Sequence, residues 1–294
     1  MSDMNSMNRE FKKNQLRRQI VPPAAHSQED SEEVIRKARI RVRKKKFRIF
    51  LVLFLVLGLM AAGIYVYFNL YHYTRYHVVW EKNMNEGSFV GYRNFASNVL
   101  KYSKDGASYL DSSGKEVWIE SYEMKSPTAS VNGDFAAVAD QQGNSIYIFG
   151  KSGKTGIATT VLPIVKVTVS AKGVVAAILE DSTSNYIYFF KKDGSVLNVK
   201  IKALLGGDIG YPVDISLSPD SSQLMGAYAY LKNGALNGRV AFHNFSEIGK
   251  SVPDRLVGGF DEPYASSLVS RVAFLDDTYA CAFSDGGVSF YSTK

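Results

Sequence analysis

The side chains able to do chemistry in this sequence are few and scattered. Histidine occurs at His26, His72, His77 and His243, and the single cysteine is Cys281. No two of these five have the spacing that holds a metal ion. Cys281 lies in the apolar run Tyr279–Phe283, where a thiol packs as a small hydrophobe. No P-loop, dinucleotide fingerprint or nucleophile elbow occurs, and Gly206-Gly207-Asp208 and Gly258-Gly259 read as loop glycines because neither opens a helix. Asp140, Asp181 and Asp285 sit at comparable turns after small-residue stretches. Carboxylates on one face would suit calcium binding, or a hydrolase or lyase, but hairpin turns select the same residue. Tyr211, Tyr228, Tyr230 and Tyr264 could stack on sugars or simply pack. The expectation is a non-enzymatic protein with no catalytic residue, cofactor or metal.

One cluster is dense. Arg39, Arg41, Arg43, Lys44, Lys45, Lys46 and Arg48 fall within ten residues. Such a patch suits the surface of an anionic membrane, each cation contributing about 1 kcal/mol there, and it also serves as a topology signal. No aromatics interleave with the charges before Phe47, so nucleic acid is not the expected partner. The patch abuts Ile49–Phe68, twenty residues without a charge. As a helix these span roughly 30 Å, the thickness of the hydrocarbon layer. Tyr65, Tyr67, Tyr71, Tyr73 and Tyr76 gather at the far end, as at a membrane interface. A cleaved signal peptide fits less well, because 48 residues precede the stretch and the apolar run continues past Ala61-Ala62-Gly63. The positive-inside rule then places the N-terminus in the cytoplasm and the C-terminus outside.

Charge is divided along the chain. Residues 1–48 hold 14 of the 35 basic and 6 of the 28 acidic residues, which leaves 21 and 22 for the rest. The basic character therefore belongs to the tail. The expected organisation is a cytoplasmic tail at 1–48, disordered and then helical, a membrane helix at 49–69, a connector at 70–95 with a first strand near His77–Trp80, and an extracytoplasmic domain at 96–294. With one cysteine, that domain has no internal disulfide, which suits a bacterial cell envelope.

Beyond the connector no long amphipathic helix is expected. Short apolar runs alternate with turns such as Lys104-Asp105-Gly106, Asn132-Gly133-Asp134, Lys192-Asp193-Gly194 and Asn233-Gly234. A unit recurs: a short strand, a turn, a small-residue strand, a polar turn, an aromatic strand. Ala129–Asp140 with Asn144–Lys154 is one copy, and Val169–Leu179 with Asn185–Ser195 is the next. Ile215–Ala227 with Gly238–Asn244, and Val272–Ala280 with Gly287–Tyr291, follow, and Val99–Asp111 is an earlier, weaker copy. Aromatic strands begin near 107, 146, 187, 240 and 288. A period of about 40 to 50 residues with four strands each is that of a β-propeller blade. The fold class is thus all-β, a propeller-like domain of four or five blades behind one transmembrane helix. Ala136–Ala139, Ala176-Ala177 and Gly226-Ala227 are assigned to the inner strand, near the axis. Closure of the ring by the stretch near Trp80, an open ring, and a truncated chain all remain open.

The turn Ser218-Pro219-Asp220 and the strand after it resemble WD40-like and PQQ-like propeller repeats, although the Gly-His and Trp-Asp signature and a PQQ-binding pattern are missing. The whole layout resembles the membrane-anchored propellers of Gram-positive anaerobes catalogued as domain of unknown function 5711. That resemblance covers the apolar stretch and nearly everything after it, and implies the fold without implying an activity. A protein-interaction scaffold in the cell envelope is the expected role, with an envelope protein as partner. A module that binds cell-wall glycan or peptide is the alternative.

Overall fold

The computed structural model describes residues 10–12, 28–70, 76–78, 80–81, 89–204 and 210–293. It divides into two units, Met1–His77 and Val78–Lys294. The expected disorder of 1–27 and the loop glycines at 206–207 lie essentially outside the described residues.

The first unit holds helix α1 (Gln28–Leu70), 43 residues without a break. At about 1.5 Å per residue it is some 65 Å long. It runs through both the basic cluster and the apolar stretch. Its residues from Ile35 onward are exposed throughout, so the apolar side chains pack against nothing among the described residues.

The second unit is built from five antiparallel sheets in chain order. Sheet 1 comprises β1 (Phe89–Phe95), β2 (Asn98–Ser103), β3 (Gly106–Leu110) and β4 (Glu116–Ser121). Sheet 2 comprises β5 (Pro127–Asn132), β6 (Phe135–Asp140), β7 (Ser145–Gly150) and β8 (Gly153–Thr159). Sheet 3 comprises β9 (Ile164–Val169), β10 (Val175–Glu180), β11 (Ser184–Phe190) and β12 (Val196–Leu204). Sheet 4 comprises β13 (Tyr211–Leu217), β14 (Gln223–Lys232), β15 (Ala235–Asn244) and β16 (Leu256–Phe260). Sheet 5 has three described strands, β17 (Val269–Phe274), β18 (Tyr279–Ser284) and β19 (Gly287–Ser292). Each sheet is a simple meander, the blade of a propeller.

The aromatic strands of the repeat are the third strands β3, β7, β11, β15 and β19. The repeat lengthens at sheet 4 for two reasons. β14 and β15 have ten residues each, and the link from β15 to β16 carries a short 3-10 turn at Pro253–Arg255. β13 pairs with β14 only as far as Ala229, so Tyr230–Lys232 and Ala235–Asn237 continue as a two-stranded ribbon past the rest of the sheet. Leu231 at its tip is 75 % exposed.

Three expectations are corrected. His77, Val78 and Trp80 belong to no strand; Trp80 instead donates its indole N–H to the Ser112 carbonyl at 2.8 Å and lies against Gly114 in sheet 1. β1 falls inside the stretch 70–95 assigned to a connector, because Phe89–Phe95 lacks the small-residue signature yet pairs with β2, with a bulge between Phe89 and Gly91. The small-residue strands are not innermost. The first strands β1, β5, β9, β13 and β17 lie against one another in succession, and the small-residue strands β6, β10, β14 and β18 are second. Their alanines answer a different demand. Ala137 and Ala139 pack toward sheet 3, while Ala136 and Val138 pack toward sheet 1, all fully buried. A strand covered on both faces by neighbouring sheets has room only for small side chains.

Apolar clusters join the sheets in sequence. Phe95, Leu100 and Tyr109 of sheet 1 meet Val138 and Phe149 of sheet 2. Ile148 and Ala158 of sheet 2 meet Val167 and Leu179 of sheet 3. Ile187 and Phe189 of sheet 3 meet Leu217 and Leu224 of sheet 4, and Met225 and Val240 of sheet 4 meet Val272 and Ala280 of sheet 5. Among the described residues no cluster joins sheet 5 to sheet 1. The outer strands are locked as well. Trp118 of β4 stacks on Phe149 of sheet 2 with ring centres 5.0 Å apart and donates to the Lys151 carbonyl at 3.0 Å. Gly194, at φ +86°, turns β11 into β12 so close to β8 that a Cβ would meet the Ile157 carbonyl oxygen at 2.1 Å, so only glycine fits.

Near the inner strands, short polar side chains carry hydrogen bonds across the gaps between sheets. Ser130 of β5 accepts from the Val169 amide at 3.2 Å, and Ser216 of β13 accepts from the Phe274 amide at 3.0 Å. Asp214, almost fully buried, ties three sheets. Its Oδ2 accepts from the Val272 amide at 2.8 Å and its Oδ1 meets Lys166 Nζ at 2.7 Å. The two contacts differ in worth. Lys166 is half-exposed, so its pairing contributes less than about 1 kcal/mol. An orphaned buried amide costs about 1–3 kcal/mol. Asp214→Ala is therefore expected to lower stability in urea unfolding by about 1–3 kcal/mol, and Lys166→Ala by less than about 1 kcal/mol. Equal losses would refute this ranking.

Candidate interaction surface

The residues singled out for chemistry do not converge. Asp140 Oδ1 accepts from the Ser126 amide at 2.7 Å, Asp181 Oδ1 from the Ser182 amide at 2.8 Å, and Asp285 Oδ1 from Ser267 Oγ and from the Leu268 amide at 3.2 Å. Asp181 serves its own turn, while Asp140 and Asp285 reach back to the segments that lead into β5 and β17. The Ser267 hydroxyl holds the Asp285 carboxyl below its ordinary value. Asp111 and Asp193 do the same in other turns, each accepting from a serine hydroxyl two residues on at 2.6 Å, and both are likewise pulled down. Among the described residues no three His, Cys, Asp or Glu side chains gather as a metal set. Cys281 is buried, and burial pushes its thiol up.

The four tyrosines have four separate settings. Tyr211 points its hydroxyl at Glu180, 3.4 Å away. Tyr230 lies under the Arg239 guanidinium at 4.9 Å, and Arg239 pairs with Asp261. Tyr264 is buried and shares a hydrogen bond with Tyr291. Tyr228 is fully buried and meets His243 Nε2 at 3.3 Å.

That last pair is a buried polar unit that the sequence reading did not find. Nδ1 of His243 lies 2.9 Å from the Asp254 carbonyl, so Nδ1 carries the proton and Nε2 accepts from the Tyr228 hydroxyl. Gly226 makes the contact possible. Leu224, Gly226 and Tyr228 share one face of β14, and His243 stands opposite Leu224. The Tyr228 ring lies back over Gly226, where a Cβ would stand 2.6 Å from it. Gly226 followed by an aromatic two residues on was the signal available. Burial holds the His243 pKa below its ordinary 6.5. The folded state thus binds the proton less readily than the unfolded chain, and its stability is full above pH 6.5 and declines as pH falls below that value. The urea midpoint is expected to fall between pH 7.5 and 5, and His243→Gln, which keeps one donor and one acceptor, to flatten that slope. An unchanged slope would sink this assignment.

The seven cations Arg39, Arg41, Arg43, Lys44, Lys45, Lys46 and Arg48 all lie on α1 and are all exposed. At about 100° per residue they surround the helix on every side. The arrangement is a collar immediately before the apolar stretch and not a stripe along one face.

Sheet 5 exposes large apolar side chains on one of its faces. Residues 271, 281, 283, 288 and 290 share the face of sheet 5 turned away from sheet 4. On it Phe290 is 72 % and Val288 50 % exposed. The other face of the same sheet packs on sheet 4 through Val272, Ala280 and Ala282.

The fold and its surfaces therefore define a β-propeller-type blade domain following one long apolar helix. Residues 69–294 match the family of unknown function DUF5711, and the chain belongs to that family. The match begins at residue 69, so the apolar stretch lies before it, contrary to the wider coverage expected from the layout. No curated protein matches the chain. Among solved structures it is similar to the Pan2 WD40 domain of Neurospora crassa, with 10 % identity over 67 % of this chain and 59 % of that one and a TM-score of 0.44. It is also similar to Kuenenia stuttgartiensis hydrazine synthase, with 14 % identity, 67 % and 60 % coverage and a TM-score of 0.48. Kluyveromyces lactis Hsv2 shows 12 % identity, 71 % and 74 % coverage and a TM-score of 0.46. The chain spans about three fifths of the length of the first two.

Proposed function

We propose that this chain is a single-pass membrane protein that holds its blade domain outside the cell as a protein-interaction scaffold in a bacterial envelope. The observation that supports the reading is the apolar face of sheet 5, on which, among the described residues, Phe290 is 72 % and Val288 50 % exposed. Exposed apolar patches of this kind mark interaction sites. The anchor is supported by α1. Its apolar part is long enough to cross a bilayer, and the collar of cations suits a helix passing through the headgroups better than one lying on them. The same collar supports an N-terminus on the cytoplasmic side by the positive-inside rule. A binding role is favoured over an enzymatic one because the candidate aspartates are each hydrogen-bonded at separate places in the fold.

In-cell cross-linking through residues 96–294, followed by mass spectrometry, is expected to capture one reproducible envelope protein. Retention of the purified chain on cell wall with no captured protein would favour the glycan-binding alternative. Protease added to intact cells stripped of wall is expected to cleave 96–294 and to spare an N-terminal tag. Protection of the blade domain with loss of the tag would reverse the orientation.

A further inference from the structure

α1 runs without a break from the basic cluster into the apolar stretch, so one pattern of side chains can be followed along it. Ile35, Val42, Ile49, Val56 and Gly63 recur at every seventh residue. At about 100° per residue, each step of seven returns to within about 20° of the same side. Ala38, Val52, Leu59 and Val66 each fall three residues after a member of that line and lie beside it. Together they form the seam of a heptad repeat, in which Lys45 is the one charged residue.

Inside the apolar stretch the seam is marked by residue type. From Ile49 to Leu57 the three β-branched residues are Ile49, Val52 and Val56, all on the seam, and the six others are leucine or phenylalanine. Lipid tails are as apolar as leucine, so helices meet in a bilayer through close packing and not through the hydrophobic effect. β-branched side chains suit that contact, because they are already fixed at χ1 and lose little freedom when packed. The bulkier, more flexible leucines and phenylalanines are left to the lipid. Ahead of the stretch a different force selects the same line. Ile35 and Val42 are exposed there with Ala38 between them, while Arg36, Lys37, Arg43 and Lys44 lie on the far side of the helix. A second line, Ile40, Phe47 and Phe54, has the same spacing, but those four cations are the neighbours of Ile40 one turn away. Burial of apolar surface in water and close packing in lipid are separate demands, and one continuous seam answers both.

The occupant follows from the anchor. Copies of a single-pass helix stand in one membrane in the same orientation and at the same depth, so seam meets seam in parallel and in register. β-branched residues on the seven-residue line favour a parallel pair of strands. We infer that α1 pairs with α1 of a second copy along Ile35, Val42, Ile49, Val52 and Val56. The collar opposes the pair, because Arg39, Arg41, Lys46 and Arg48 flank the seam on both helices. Anionic headgroups at that depth supply the counter-charge, so the pair belongs to an anionic membrane. The inference rests on the single-pass reading of α1 and not on the scaffold reading of the sheets.

The test is a scan of single cysteines from residue 49 to residue 59 in the full-length chain, held in vesicles containing phosphatidylglycerol and oxidised with copper phenanthroline. The unsubstituted chain, whose Cys281 is buried, sets the background. Disulfide-linked dimer is expected to peak at Ile49→Cys, Val52→Cys, Val56→Cys and Leu59→Cys, roughly fivefold above Leu51→Cys, Phe54→Cys and Gly58→Cys. Val42→Ser, ahead of the apolar stretch, is expected to lower the yield at residue 52 roughly twofold, and an unchanged yield overturns the continuous seam. Equal yields at every position are chance encounters and overturn the inference, as does a peak at 54 or 58, which puts the contact on another face. Alkaline carbonate extraction of the same vesicles separates the two readings. A chain that stays with the membrane and gives no dimer refutes the pair alone, whereas a chain washed out refutes the anchor and the pair with it.

Discussion

A sheet with two apolar faces must be covered twice, and this constraint governs the second unit. The interior sheets satisfy it by standing between two neighbours. Every such sheet then needs one strand thin enough to be approached from both sides, which is why Ala136–Ala139 of β6 and Val175–Ala177 of β10 are alanine and valine and fully buried. Bulk is exported to the flanking strands. Phe149, Ile187 and Phe189 stand on third strands and reach into the gaps that the small residues leave. Among the described residues the face of sheet 5 turned away from sheet 4 has no second sheet against it.

The repeat was legible because this division of labour leaves a period in the sequence. Small-residue strand, turn and aromatic strand recur at a blade's spacing, and the third strands fall where that spacing puts them. The position of the small strand within the blade was not legible. An axis and a two-sided sandwich both demand small side chains, and a linear pattern does not say which of the two a strand faces. β1 escaped notice for a related reason: Phe89–Phe95 includes Gly91, Arg93 and Asn94 and shows no clear alternation, and it becomes a strand by pairing with β2. The tertiary partner decides such a segment, not its own propensity.

The polar architecture was legible only in part. The aspartates of tight turns were recognisable because their donors are one or two residues away, as with Asp193 and Ser195. Contacts across sheets were not. Asp214 reaches Val272, 58 residues on, and no local pattern distinguishes it from a surface carboxylate in a strand. Tyr228 and His243 were each noted, and their meeting depends on the register of β14 with β15 and on the bare backbone at Gly226.

The ribbon at the end of sheet 4 gives the domain a built-in stand-off. Three residue pairs, Tyr230 with Asn237, Leu231 with Leu236 and Lys232 with Ala235, extend past the last pairing of β13. At about 3.4 Å per residue they project roughly 10 Å. The ribbon's tip carries Leu231, 75 % exposed, so the ribbon holds an apolar side chain clear of the sheet from which it springs.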